Sequence, residues 1–357
     1  MRIGIDAREL CGHATGAGRY LGGLLREWSE DAATRRHEFI LYAPESLSAA
    51  LDSRRFATRL IAGTAGTWWE QVRVPSVALD DHLDVFFAPA YTAPLRLRVP
   101  TVVAIHDLSF VAHPEWFGMR EGARRRLLTR QSAKRARAIV TISECSRGEL
   151  IDSLAVPPER VHVIPPGMST PVCGPVTARE ERVLFVGSIF NRRHVPDLVR
   201  SFGIVARRRP QASLDLVGDN RTYPHEDIQR TIASEGLGGR VCWHRYVSDD
   251  QLRDLYAGAR AFAFLSEYEG LGMTPLEALA AGAPPLLLDT PVAHESCGDA
   301  ALYVRSGDLP GIALAMEDIL ADEATRSRLL TAAPAALAKY SWPRAARETL
   351  ALLERSG

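Results

Sequence analysis

Cysteine is scarce in this chain and unpatterned. Cys11, Cys145, Cys173, Cys242 and Cys297 are five in 357 residues, an odd number, and no C-x-x-C occurs. That excludes a disulfide framework and points to reduced thiols in a cytoplasmic protein, most of them packing residues. His13 near Cys11, and His106 with His113, lack the spacing of a zinc site. Long apolar runs are missing too. None approaches the roughly 18 residues of a membrane-spanning helix. The opening Met1-Arg-Ile-Gly-Ile-Asp6 alternates as a strand does, with no apolar leader core before it, so no signal peptide is expected. Charge of one sign is also absent: Lys plus Arg and Asp plus Glu both number 43. Nothing therefore draws the chain as a whole to nucleic acid, and no GKS/T loop, zinc-finger spacing or RNA-binding signature appears.

What is present is alternation. Short apolar runs at 3–6, 38–42, 59–61, 85–87, 99–105, 138–142 and 161–164 read as strands separated by helical or loop segments. A Pro- and Gly-rich stretch, 164–175, closes this first series. A second opens with strands at 182–186, 213–217, 241–244, 261–265, 285–288 and 301–304. Helices are expected at 309–321, 323–339 and 343–354. Strand–helix alternation predicts α/β architecture, with parallel sheets covered on both faces and ligands at the C-terminal ends of strands. The length suits two domains. We place an acceptor-side domain at 1–170, a nucleotide-binding domain at 171–341 and a terminal helix at 342–357.

Residues 264–289 carry the strongest chemical signal. A buried strand, a loop with Gly270 and Gly272, a helix and another strand follow one another. Thr274 reads as the helix N-cap, Pro275 as its first residue and Glu277 as its third, the capping-box pattern. A helix N-terminus presents unpaired N–H groups and partial positive charge, so the amides of Gly272, Met273 and Thr274 suit a phosphate. Glu269 and Glu277, eight residues apart, are poor phosphate ligands but good acceptors for polyol hydroxyls. A diphosphate between two polyols describes a nucleotide sugar. The bland alternative makes Glu277 a capping residue and Glu269 a loop carboxylate.

Other positions add to this. After the strand 182–186, Gly187-Ser188-Ile-Phe-Asn-Arg192-Arg193-His194 puts two adjacent cations at a strand end, which suits a diphosphate. His106-Asp107 ends the strand at 99–105, where a structural and a catalytic reading both stand. Gly16 and Gly18 lie in an expected loop before a helix at 19–29; they nearly spell a dinucleotide fingerprint, with the third glycine one place late. The predicted helix 119–137 carries Arg120, Arg124, Arg125, Arg126, Arg130, Lys134, Arg135 and Arg137 against one acid, Glu121. It is either a solvated face or a docking surface for an anionic lipid or a polyprenyl diphosphate. Trp68-Trp69 reads as a core or interdomain aromatic pair.

The segment from Glu269 to Gly282 resembles the E-G-F-G-L-P-x-L-E-A-M-A-x-G signature of retaining glycosyltransferases of family 4, with Leu271 for Phe and Met273-Thr274 for Leu-Pro. His106-Asp107-Leu, with Pro114 and Phe117 following, is similar to the T-V-H-D-L segment of the family's mannosyltransferases. Ile164-Pro-Pro-Gly resembles its I-P-N-G domain close. Arg192-Arg193-His194 stands where the family reads R-K-N, which puts the donor contacts in question. The resemblance implies a GT-B fold, two Rossmann-like doubly wound domains facing a central cleft, with a terminal helix crossing back to the first. It implies sugar transfer from a nucleoside diphosphate to an acceptor hydroxyl with retention. Gly16, Gly18, Ser188, Arg192, Arg193, Gly270, Gly272, Met273, Thr274 and Glu277 would then serve the donor, with Tyr246 and Val247 of His244-Arg-Tyr-Val at its base. His106, Asp107 and Glu269 would lie at the reacting centre, with Asp107 orienting His106 or facing the acceptor. No D-x-D occurs, the motif that holds a metal between donor phosphates in other glycosyltransferases, so no metal or other cofactor is expected. The pattern leans toward GDP-mannose as donor, and a carbohydrate or lipid-linked acceptor in cell-surface polysaccharide or glycoconjugate synthesis. A nucleotide-sugar epimerase, a nicotinamide oxidoreductase and a non-catalytic sugar-binding module are the rival readings.

Overall fold

The computed structural model describes residues 1–12, 16–47, 51–52, 54–168 and 179–357. The chain divides into two compact units, Met1–Gly167 with Tyr340–Gly357, and Met168–Lys339. His13, Cys173, and the 170/171 boundary drawn from sequence lie outside the described residues.

The first unit is built on a seven-stranded, all-parallel sheet. Its strands are β1 (Arg2–Asp6), β2 (Glu38–Ala43), β3 (Phe56–Leu60), β4 (Val85–Ala88), β5 (Thr101–Ala104), β6 (Ala138–Thr141) and β7 (Val161–Val163), in the order β3-β2-β1-β4-β5-β6-β7. Strands buried on both faces must be apolar throughout, and Phe39-Ile-Leu-Tyr-Ala43 and Val85-Phe-Phe-Ala88 are. Alternate side chains then feed two separate cores. Ile3, Ile5, Phe39, Leu41 and Phe87 pack with Leu21, Leu24 and Trp28 of the helix Gly16–Glu30 and with Ala345, Leu350 and Leu353 of the helix Trp342–Ser356. Ile40, Tyr42, Phe86, Val103 and Ile139 pack on the other face with Trp69, Val74, Ala133 and Leu150.

The helix Trp342–Ser356 comes from the far end of the chain and is seated closely in this unit. A Cβ on Gly23 would come within 2.4 Å of the Trp342 ring, and one on Gly167 within 2.1 Å. Only glycine leaves the indole that room. Trp28 Nε1 donates to the Ala346 carbonyl at 2.9 Å across the same contact.

The second unit carries a six-stranded parallel sheet, order β10-β9-β8-β11-β12-β13. Its strands are β8 (Arg182–Val186), β9 (Ser213–Val217), β10 (Val241–His244), β11 (Ala261–Phe264), β12 (Pro285–Leu288) and β13 (Leu302–Val304). Both sheets reverse strand order once, between β1 and β4 in the first and between β8 and β11 in the second. At such a switch point neighbouring loops diverge to opposite faces and leave a crevice at the strand ends.

Four local expectations are corrected. The third strand is Phe56–Leu60, earlier than 59–61, because it is an edge strand whose Thr58, Arg59 and Leu60 are exposed, so burial leaves no apolar run to read. The first helix begins at Gly16, which places Gly16 and Gly18 in its opening turn, with Gly18 buried, and not in a loop before it. The basic helix is Met119–Arg135, so Arg137 lies past its end. Trp68 and Trp69 are not a packed pair. Trp69 is buried and donates to the Ile61 carbonyl at 2.7 Å, while Trp68 is 69% exposed.

Candidate active site

In the second unit, two residues singled out from sequence, Arg193 and Glu269, meet at the β8/β11 switch point. Arg193 follows β8, and Glu269 follows β11. The Arg193 guanidinium reaches Glu269 Oε1 through Nε at 2.8 Å and Nη2 at 2.7 Å, and donates from Nη1 to the Ser188 carbonyl at 2.8 Å. Its plane lies 4.7 Å from the Phe264 ring centroid. Ser266 Oγ donates to the same Glu269 oxygen at 2.9 Å. Gly187 makes this possible. It has φ +144°, and a Cβ there would fall 2.6 Å from Arg193 Nη1. Arg192 lies over the Phe190 ring, 4.4 Å from its centroid, and Arg193 is 5.5 Å from the same centroid.

His194, where the family has Asn, has φ +45° and caps the helix Val195–Arg208. Asn and His are both enriched in this left-handed region, so the departure keeps the backbone geometry. His194 Nε2 lies 3.2 Å from Glu267 Oε2.

The helix after the loop differs from the sequence reading. Its N-cap is Gly272, at φ +85°, and its range is Met273–Ala280. Thr274 is therefore the second helical residue, and the expected capping box is not formed. No side chain caps the helix at Gly272. Glu277 instead accepts from Tyr256 Oη at 3.1 Å. Gly270 lies in the loop between Glu269 and that N-terminus. Tyr246, 81% exposed, and Val247 follow β10.

In the first unit, His106 and Asp107 follow β5, beside the β1/β4 switch point. His106 is buried, and its Nε2 lies 2.8 Å from the Pro89 carbonyl. A carbonyl only accepts, so Nε2 carries the proton and Nδ1 of the neutral ring is an acceptor. Burial holds this imidazole below its ordinary pKa, so the ring is neutral at pH 7. Edge-on rings of Tyr20 at 4.8 Å and Tyr91 at 5.6 Å fix its plane. Asp107, proposed from sequence to orient His106, is turned elsewhere: it accepts from Tyr91 Oη at 2.6 Å and from the Ser109 amide at 2.9 Å. The Pro89 carbonyl orients the imidazole.

Sequence reasoning missed a charged cluster beside these groups. Asp6, the last residue of β1, is 2% exposed, and its Oδ2 lies 3.1 Å from Arg8 Nη2. The same Nη2 donates to Glu70 Oε1 at 2.7 Å, and Thr92 Oγ1 donates to that oxygen at 2.6 Å. Burial raises the Asp6 carboxyl to about pKa 6, against the pull of Arg8. An acid ending a buried parallel strand was the available signal; Glu70 and Thr92, which bond to its partner Arg8 from 62 and 84 positions on, were not.

Comparison with known proteins bears on the family and the fold. Residues 14–171 match the family model described as "Glycosyltransferase Family 4", and residues 175–335 match "Glycosyl transferases group 1". The chain belongs to the family 4 glycosyltransferases. Among its relatives is O-antigen chain mannosyltransferase B of Escherichia coli, 25% identical over 287 residues, which span 76% of this chain and 75% of that one. Another is the GDP-mannose:cellobiosyl-diphosphopolyprenol alpha-mannosyltransferase of Xanthomonas oryzae pv. oryzae, 29% identical over 57% of this chain and 52% of its own. The fold is that of sucrose-phosphate synthase from Thermosynechococcus elongatus (TM-score 0.79, 18% identity, 99% and 98% of the two chains). It is also that of Anabaena HepE solved with UDP and glucose (TM-score 0.78, 17% identity, 99% and 100%). These likenesses give the GT-B class: two Rossmann-like parallel-sheet domains.

Proposed function

We propose that this enzyme transfers a mannosyl group from GDP-mannose to a hydroxyl of a carbohydrate or lipid-linked acceptor, with retention and without a metal. The observation that carries the reading is the Arg193–Glu269 pair across the β8/β11 switch point, three residues before a helix N-terminus. Arg192, Arg193 and the amides of Gly272, Met273 and Thr274 would neutralise the diphosphate as it leaves, the task a metal performs elsewhere. Glu269 Oε1 is occupied by Arg193 and Ser266, which leaves Oε2 for a sugar hydroxyl. Glu277, steadied by Tyr256, would take the ribose hydroxyls, with Tyr246 and Val247 near the base. The choice of mannose rests on the names of the relatives and on the His106-Asp107-Leu pattern. His106 would meet the sugar or acceptor through Nδ1 as a neutral acceptor.

The test is thermal stabilisation by a panel of nucleotide sugars. A ligand that binds only the folded state stabilises it by about 2.7 kcal/mol at a hundred times its Kd. GDP-mannose should raise Tm by several degrees, unchanged by chelator, and Glu277→Ala should abolish the shift. Stabilisation by a different donor would replace the mannose assignment, and a shift lost with chelator would overturn metal independence.

A second reading concerns the membrane. No helix among the described residues is long and apolar enough to cross one. Peripheral contact through 119–137 is favoured by exposed apolar side chains among the cations: Met119 at 89%, Leu127 at 60% and Trp68 at 69% exposure, with Arg124 Nη1 bonded to Thr67 Oγ1 beside Trp68. The structure redistributes the candidate charges. Arg124 and Arg125 pair with Glu121, and Arg126 donates to the Phe110 carbonyl. Exposed Arg120, Arg130 and Lys134 make no such bond among the described residues. Reversing those three to Glu should abolish sedimentation with vesicles containing anionic lipid; undiminished sedimentation would sink the contact.

A further inference from the structure

We infer that Tyr91 is a positioning residue for the transfer reaction, holding the carboxylate of Asp107 and the ring of His106 in register. The inference rests on the reading of His106 and Asp107 as the reacting side of the first unit. Its starting point is an outlier. Tyr91 has φ +62°, a left-handed conformation that strains a bulky aromatic. Such strain persists only where the surroundings over-determine it, and here they do.

The Tyr91 amide donates to the Ala104 carbonyl at 2.8 Å, pinning the turn after β4 against the end of β5. From that point the ring lies edge-on to His106 and to Phe110, at 5.6 and 5.9 Å. The hydroxyl donates to Asp107 Oδ2 at 2.6 Å, while the Ser109 amide takes Oδ1. Two positions earlier, Pro89 supplies the carbonyl that sets the His106 tautomer. The turn 89–91 therefore grips both groups delivered by β5. A glycine or asparagine would make the same turn with less strain, but neither could reach Asp107 and His106 together. The next residue, Thr92, is held in turn by Arg8 and Glu70.

The experiment follows GDP release from GDP-mannose, in water and with methyl α-D-mannoside as acceptor probe, in wild type, His106→Ala, Asp107→Asn, Tyr91→Phe and the Tyr91→Phe/Asp107→Asn double variant. Tyr91→Phe keeps ring and packing and removes one bond to a carboxylate, a loss of about 10-fold or more in kcat. The donor KM and the GDP-mannose thermal shift should stay within 2-fold and 1 °C or so of wild type. The double variant should be no worse than Asp107→Asn alone, because the two changes break the same link. A Tyr91→Phe kcat within 2-fold of wild type, or fully additive losses in the double variant, would overturn the inference while leaving the site reading intact. Full activity in His106→Ala would overturn the site reading and the inference with it. A purely structural role would instead lower Tm and donor affinity together.

Discussion

Asp6 shows how burial in the fold, against the pull of its neighbour Arg8, sets the state of a group in this site. Moving a carboxyl from its ordinary 3.8 to about 6 corresponds to roughly 3 kcal/mol between its two forms. Because the folded-state value is the raised one, the stability contributed by protonated Asp6 is complete below pH 3.8 and is lost as pH rises through about 6. Asparagine keeps the shape and never ionises, and Arg8 retains Glu70. Asp6→Asn should therefore raise Tm at pH 8, and the gain should fall to about half by pH 5 and disappear below pH 3.8, as calorimetry from pH 8 to pH 3.5 would show. A less stable Asn variant at pH 8 would mean that the Asp6–Arg8 contact outweighs the burial cost. At this scale the sequence marks individual groups and not their pairing. Arg193 and Glu269 were each marked as functional from local pattern alone. Their bond spans 76 positions and depends on which strands are neighbours. Tyr91 carried no local signal, since its strain and its bond to Asp107 exist only once β4 and β5 are side by side.

Elements were legible where burial imposes a pattern. All six strands of the second sheet were legible as short apolar or alternating segments, and their expected bounds differ from the observed ones by at most a residue. β3, with its outer residues in water, was misplaced. The helix after the glycine loop was recognised, but its first residue was not, because Thr274 satisfies the capping-box spacing while Gly272 takes the cap by backbone geometry. That difference matters chemically: it frees Glu277 from the cap. The loop after β8 allows a direct test. Gly187→Ala forces a side chain into φ +144° and into Arg193 Nη1. The guanidinium must leave Glu269, and donor KM should rise about 10-fold or more, the worth of a charge-assisted hydrogen bond. Gly236→Ala is the control. Its φ is also positive, at +69°, but nothing lies within 4 Å of the new Cβ. It should cost stability and leave donor KM unchanged; equal effects at the two positions would show that backbone strain alone accounts for the loss at Gly187.

For the molecule as a whole, two alternating units could be read from strand and helix periodicity, and the family from one motif. Neither the Gly23–Gly167 niche nor its occupant Trp342 could, because three positions spread over 320 residues meet only in the folded first unit. That niche has a consequence during synthesis. The sheet β1–β7 leaves the ribosome before the second unit, yet one of its faces is covered by a helix made after that unit. At the usual 5–20 residues per second, the stretch between Val163 and Trp342 takes roughly 10–40 s to make. For that interval Ile3, Ile5, Leu24 and Phe87 lack the cover that Leu350 and Leu353 later provide. The second unit is continuous and can finish folding while the first still waits. The nascent chain thus passes through a stage with one complete domain and one open apolar face, the kind of surface that chaperones hold, and the turns carrying Leu350 and Leu353 close the domain begun earlier.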